Sequence, residues 1–243
     1  MRILLISDIH SNLSAFQAVL QDAEGKWDYV WCLGDLVGYG PNPNECVQLL
    51  RTLPHLSLAG NHDWASLGLL DISDFNADAR YAVHWTANAL SEESKKYLHQ
   101  LPVTLVIDDV TLVHASPRDP VLEYILDSFI AALNFPHFDT SFCFVGHSHY
   151  PIIYQEIGEQ DLPLQIKSPE GSEMTLNGQR LIINPGSVGQ PRDGNPMAAY
   201  ALLDTETKVY QARRVAYDIP AVQKQMIEAN FPERLIRRLE TGN

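Results

Sequence analysis

The chain has 243 residues, 45% hydrophobic and 19% charged, with a formal net charge of -13. That length suits one large α/β domain or two small ones with a packed core, and the charge argues against broad contact with nucleic-acid phosphates, which takes clustered Lys and Arg. Three cysteines without C-x-x-C spacing, no apolar run as long as a membrane span, and an N-terminal run broken by Asp8 together point to the cytoplasm.

Ile3 to Ile6 is a continuous apolar run, which reads as a strand buried on both faces, and it ends at Asp8 and His10. A helix to about Glu24 follows, capped by Asn12 or Ser11, with Leu13, Phe16, Val19 and Leu20 at helical spacing. Tyr29 to Leu33 forms a second strand and ends at Gly34-Asp35. The stretch from Gly38 to Pro43 is a rigid irregular loop leading into a helix near 44–52. Leu56 to Ala59 is a third strand, ending at Gly60-Asn61-His62-Asp63. This β-loop-α repetition predicts a parallel sheet with helices on its faces. Residues 64–100 read as helical, the last helix capped by Ser91.

The second half is richer in strands. Residues 103–107 and 110–113 flank Asp108-Asp109 as a hairpin, and the second strand ends at His114. A helix is expected around 127–133. Phe142 to Val145 is a buried strand ending at Gly146-His147-Ser148-His149, and Ile152 to Tyr154 is another. Residues 158–173 read as a surface excursion, and Asn177-Gly178 predicts a hairpin within 174–183. Residues 198–203 and 209–215 form a further strand pair, and two helices, marked by Asp218 and Pro232, close the chain. With no internal repeat or linker, one domain over residues 1–243 built on two packed sheets is expected.

Strand ends gathered along one edge converge in space, and open α/β sheets bind ligands at their carboxyl ends. Here they carry Asp8 and His10, Asp35, Asn61 with His62, His114, and His147 with His149. Each piece alone has a structural reading: a cap with a surface His, a turn, an Asx turn, a lone His. Together they supply carboxylate, amide and imidazole donors, which suit hard and borderline divalent cations and not soft thiolate-loving ones.

The ordered series D-x-H, G-D, G-N-H-D, H, G-H-x-H resembles the calcineurin-like metallophosphoesterase superfamily. The stretches 7–12, 36–41 and 184–194 look like its small bacterial and archaeal branch, catalogued near diadenosine tetraphosphatases. The resemblance implies a four-layer α/β/β/α sandwich of two mixed sheets. It also implies two divalent ions, drawn from Mn, Fe, Zn, Co or Ni: Asp8, His10 and His149 would hold one, Asn61, His114 and His147 the other, and Asp35 would bridge. A metal-bridging hydroxide would attack phosphorus, with His62 as acid or charge stabiliser and Asp63 influencing it. One departure is marked. The superfamily's protein phosphatases, and the symmetrical dinucleoside polyphosphatases near them, carry G-D-x-x-D-R-G, whose Asp orients the catalytic His and whose Arg contacts phosphate; this chain has Leu36-Val37-Gly38-Tyr39-Gly40 after Asp35. Substrate contact therefore falls to Arg192, Asn12 and Tyr39, each also readable as a loop Arg paired with Asp193, a helix cap and a packed aromatic. The expected partner is a small phosphorylated substrate, with neither membrane nor nucleic acid. A nuclease and a non-catalytic scaffold are the rival readings, and oligomeric state is left open.

Overall fold

The first strand, β1 (Arg2–Ile6), shows why two sheets are built back to back: its side chains alternate between faces, yet Ile3, Leu4, Leu5 and Ile6 are all fully buried. A strand apolar on both faces needs cover on both. Ile3 and Leu5 pack with Trp31, Leu112, Phe144 and Ile183, whereas Leu4 and Ile6 pack with Phe16, Val19, Val47 and Leu50. The first group joins sheet to sheet; the second joins sheet to helix.

The computed structural model describes residues 1–158 and 161–243. One sheet contains β1, β2 (Tyr29–Cys32), β3 (His55–Ser57), β9 (Glu173–Thr175), β11 (Ala198–Asp204) and β12 (Val209–Val215), in the order β3-β2-β1-β11-β12-β9. Its first three strands are parallel and the others antiparallel. The other sheet contains β4 (Thr104–Ile107), β5 (Val110–Val113), β6 (Phe142–Phe144), β7 (Ile152–Gln155), β8 (Leu164–Lys167) and β10 (Leu181–Asn184), in the order β4-β5-β6-β10-β7-β8. Helices α1 (Leu13–Asp22) and α2 (Pro43–Arg51) cover the first sheet. The outer face of the second, through Cys143, Val145 and Ile182, packs on α6 (Ser128–Asn134) and Phe135. The result is the expected four-layer arrangement. A further cluster joins α4 (Ala77–Ala89), α7 (Ile219–Glu228) and α8 (Glu233–Thr241) around the Tyr39 ring.

Three expectations need correction. The run 64–100 is not helical throughout: α3 (Asn61–Ser66) ends before Gly68, which sits at φ 71°, and residues 69–76 separate it from α4, while α5 (Glu92–Leu98) is capped by Ser91 as expected. The Asn177-Gly178 turn does not close a hairpin. Its flanking strands enter different sheets, β9 pairing with β12 and β10 lying between β6 and β7. The turn signal reports local backbone geometry, while partner choice follows burial: all four β10 residues are buried and need a central position, whereas β9 is a part-exposed edge. The expected excursion is partly strand, since β8 extends β7; residues 159 and 160 lie outside the described residues. Among the described residues, no helix is long and apolar enough to cross a membrane.

Leu5 lies in the sheet-to-sheet core, so Leu5→Ala should lower the unfolding free energy by about 2–5 kcal/mol in urea denaturation. A loss well under 1 kcal/mol would contradict its placement between the sheets.

Candidate metal centre

The loops leaving β1, β2, β5 and β6 and the start of α3 bring all seven expected ligands together. Asp8, His10 and His149 form one buried group whose ligand atoms lie within 4.8 Å of one another, and Asp35, His114 and His147 form a second. Asn61 joins the second group, its Oδ1 being 3.2 Å from His114 Nε2.

Hydrogen bonds behind the imidazoles determine which nitrogen each offers. His10 Nδ1 lies 3.2 Å from the Val37 carbonyl, His149 Nδ1 2.5 Å from that of Gln190, and His114 Nδ1 2.8 Å from that of Leu33. A carbonyl only accepts, so each Nδ1 carries the proton and Nε2 turns inward. In His147 the roles reverse: Nε2 donates to the Leu122 carbonyl at 3.2 Å and Nδ1 is left free.

This arrangement makes His10 Nε2 and His149 Nε2, 3.1 Å apart, two lone pairs facing each other. Burial pushes both rings well below the ordinary histidine range, so both are neutral and neither can donate to the other. Asp35 is equally exposed to this convergence. Its Oδ1 accepts from the His62 amide at 2.8 Å, while Oδ2 is buried with no hydrogen-bond partner and stands 3.5 Å from both His10 Nε2 and His114 Nε2. Burial opposes its charge, but the His114, His62 and His10 rings hold the carboxyl well below the usual range. His114 in turn is drawn up by Asp35, against burial, to about 9. The proton it keeps opposite that carboxylate sits where a cation would. Lone pairs and carboxylates converging in a dry site fit divalent cations, and Asp35 Oδ2 faces both groups.

The backbone is bent to make these contacts. Asp8, His10, Asp35, His147 and His149 all lie in the left-handed region, with φ of 52, 47, 50, 63 and 62°. Such conformations cost roughly 1–3 kcal/mol each and persist only where the surroundings impose them. Gly60 is required by close approach, since a Cβ there would lie 2.1 Å from Asp35 Oδ1. The loop after β10 anchors the rest: Ser187 Oγ donates to the Asp8 carbonyl at 2.8 Å, and Asn184 Nδ2 donates to the Gly146 carbonyl and Ser148 Oγ at 2.6 and 3.0 Å. The supporting carbonyls of Leu33, Val37 and Gln190 have no side-chain signature.

His62 lies beside the ligands, its ring 5.1 Å from His10 and 4.3 Å from Tyr39. Its Nδ1 is buried without a partner, where the resemblance would supply an orienting Asp. Burial, against the field of Asp35, pushes it down to about 4. Asp63 does not hydrogen-bond His62; its carboxylate accepts the amides of Gly60, Leu36 and Val37 at 2.8, 3.3 and 3.0 Å and thereby shapes the Asp35 loop. Asn12 caps α1, accepting from the Ala15 amide at 3.1 Å and donating to the Gly189 carbonyl at 2.9 Å. Tyr39 is buried, edge-on to His10 at 4.8 Å. Arg192 does not pair with Asp193, which is taken by Arg214; Arg192 donates to Gln190 Oε1 at 3.0 Å, and its Nε is buried and unpaired. Of the other histidines, His55 bonds Tyr97, and His84, His99 and His137 are exposed.

Residues 1–208 match the calcineurin-like phosphoesterase superfamily domain. An uncharacterized protein of Methanocaldococcus jannaschii is 40% identical over 248 residues, covering 99% of this chain and 98% of that one. The crystal structure of a metallophosphoesterase from Sphaerobacter thermophilus is 48% identical with a TM-score of 0.92, covering 100% and 99% of the two chains. A hypothetical protein from Pyrococcus horikoshii, 21% identical over 100% and 98% of the chains, has a TM-score of 0.80 and shares the fold.

Asp35→Asn should reduce bound metal at both groups together, read as metal content per chain after dialysis against a fixed free-ion concentration. Loss from one group with the other intact would contradict the shared position of Asp35 Oδ2.

Proposed function

The chain belongs to the calcineurin-like phosphoesterase superfamily, and we propose that it hydrolyses a small phosphate ester at a dinuclear centre bridged by Asp35. The observation that carries this reading is the unpartnered carboxylate oxygen Asp35 Oδ2, equidistant from His10 Nε2 of one group and His114 Nε2 of the other. Asp8, His10 and His149 would hold one ion and Asn61, His114 and His147 the other, with carboxylate, amide and imidazole donors suiting Mn, Fe, Zn, Co or Ni. Bound divalent ions supply Lewis acidity and lower the pKa of water.

The chain's own residues do the rest. The neutral His62 ring, wedged between Tyr39 and Phe75 with centroids 4.3 and 5.6 Å away, is held where it can donate a hydrogen bond to a leaving oxygen or a charged phosphoryl group. Arg192, with its guanidinium 5.7 Å from the Tyr39 ring centroid and no carboxylate partner among the described residues, would donate to a phosphoryl oxygen. Tyr39 limits the space on the His62 side. Asp63 acts through the backbone of the Asp35 loop. A substrate of modest size accords with the net charge of -13, which would oppose a polyanionic strand.

A metal-replete screen of phosphomonoesters, phosphodiesters and dinucleoside polyphosphates tests this reading. Turnover of at least one class supports it. Two bound ions with no turnover of any ester would favour a scaffold, and salt-sensitive cleavage of DNA a nuclease. His62→Ala should retain full metal content yet lose about 10²–10⁴-fold in rate on an ester with a poor leaving group. Loss of metal from that variant would make His62 a support of the metal groups and not the donor to the leaving oxygen.

A further inference from the structure

Gln190 serves the metal centre and something beside it. Its main-chain carbonyl accepts from His149 Nδ1, and its side-chain Oε1 receives two guanidiniums, Arg192 Nη2 at 3.0 Å and Arg238 Nη1 at 3.1 Å. Two cations gathered on one neutral oxygen repel each other, and an amide dipole is a weak counter-charge. The carboxylates near these elements have other contacts: Asp193 pairs with Arg214, Glu233 with Arg237 and Asp78 with Arg234, from where Asp78 acts on Arg238 only at longer range, and Glu240 accepts from the Gln223 amide. Among the described residues, neither arginine has a carboxylate within ion-pair distance, and Arg192 Nε is buried with no acceptor. A half-buried guanidinium pair without an anion is costly, so it fits a site whose anion arrives with the ligand.

The pair is fixed relative to the metal centre. Tyr39 touches both sides, packing edge-on to His10 at 4.8 Å and against Leu235 and Leu239 of α8, the helix that carries Arg238. His10, Tyr39, Gln190 and Leu239 border one small cavity. Arg192 lies over the Tyr39 ring, and Arg238, carried by α8, meets it at Gln190 Oε1. The C-terminal helix pair, beyond the residues 1–208 that match the superfamily domain, thus adds a second cation next to the metal-binding edge.

We propose that Arg192 and Arg238 together bind a second phosphate joined to the one being hydrolysed, so that the preferred substrates carry two linked phosphate groups. This rests on the phosphoester reading above. Arg192 stands nearer the metal groups and serves either phosphate; Arg238 is a specificity residue for the outer one. Planar guanidiniums offer paired donors that match phosphate oxygens, which an ammonium would not reproduce.

The test is calorimetric binding of two non-hydrolysable probes, methylphosphonate and methylenediphosphonate, to metal-loaded protein at one fixed excess of free metal. The wild-type protein should bind the diphosphonate at least about tenfold more tightly than the monophosphonate, as expected for an added charge-assisted contact. Arg238→Ala should remove about tenfold of that preference, and Arg238→Gln, which keeps a shorter polar side chain with a donor but not the charge or the planar fork, should do the same. Arg238→Lys should recover only part. Equal affinity of the wild-type protein for both probes would overturn the clamp alone. So would an equal loss for both probes in the Arg238 variants, which would mark a structural role. Failure to bind either probe would overturn the phosphoester reading with it.

Discussion

Everything in this molecule turns on one buried carboxylate oxygen. Asp35 Oδ2 receives no hydrogen bond, although a charged oxygen without a donor is among the most expensive groups to bury. The imidazoles of His10 and His114 flank it, each 3.5 Å away, but only His114 is drawn towards its charged form, while burial keeps His10 neutral. The other oxygen of the same carboxylate is secured by the His62 amide, which stops the group from rotating to share its burden. A protein that simply needed to satisfy Asp35 would place a donor at Oδ2. Two groups of acceptors aimed at that point instead describe a place for cations.

Holding acceptors against each other requires a stiff scaffold, and the two sheets provide it. Candidate ligands leave the buried ends of β1, β2, β5 and β6, strands whose side chains are packed on both faces. Just beyond those ends, Asp8, His10, Asp35, His147 and His149 adopt left-handed backbone conformations that the dense surrounding hydrogen bonds maintain. Gly60 permits the close approach to Asp35, while Ser187, Asn184 and Asp63 tie the loops to one another. Core packing and site chemistry are therefore linked through short loops, with little slack between them.

The site was more legible in the sequence than the fold around it. Candidate ligands are written as side-chain types at strand ends, so Asp8, His10, Asp35, Asn61, His114, His147 and His149 stand out in the sequence, and the fold brings them together. The carbonyls that set the imidazole tautomers could not, because Leu33, Val37 and Gln190 act through main-chain atoms that any residue possesses. Asp63 misled for a related reason: adjacency to His62 in sequence suggested a partner, yet its side chain turns to backbone amides across the loop. Asn177-Gly178 signalled a turn and delivered one, but strand pairing is a tertiary decision, and the buried β10 was claimed by the second sheet. Arg238 was invisible from sequence because nothing in α8 announces that its guanidinium meets Arg192 at a shared glutamine.

The chemistry proposed for this chain would reside in the two candidate groups, and the substrate preference proposed with it at their border: Tyr39 against His62, and two arginines beside Gln190 that have no carboxylate within ion-pair distance among the described residues. Both depend on cations occupying the two groups. The most direct test is anomalous scattering from crystals grown with Mn²⁺, together with metal content per chain. Two ions about 3.5–4 Å apart, one among Asp8, His10 and His149 and the other among Asn61, His114 and His147, with Asp35 contacting both, are the expected result. A single ion, or ions bound away from Asp35 Oδ2, would contradict a centre bridged by that oxygen.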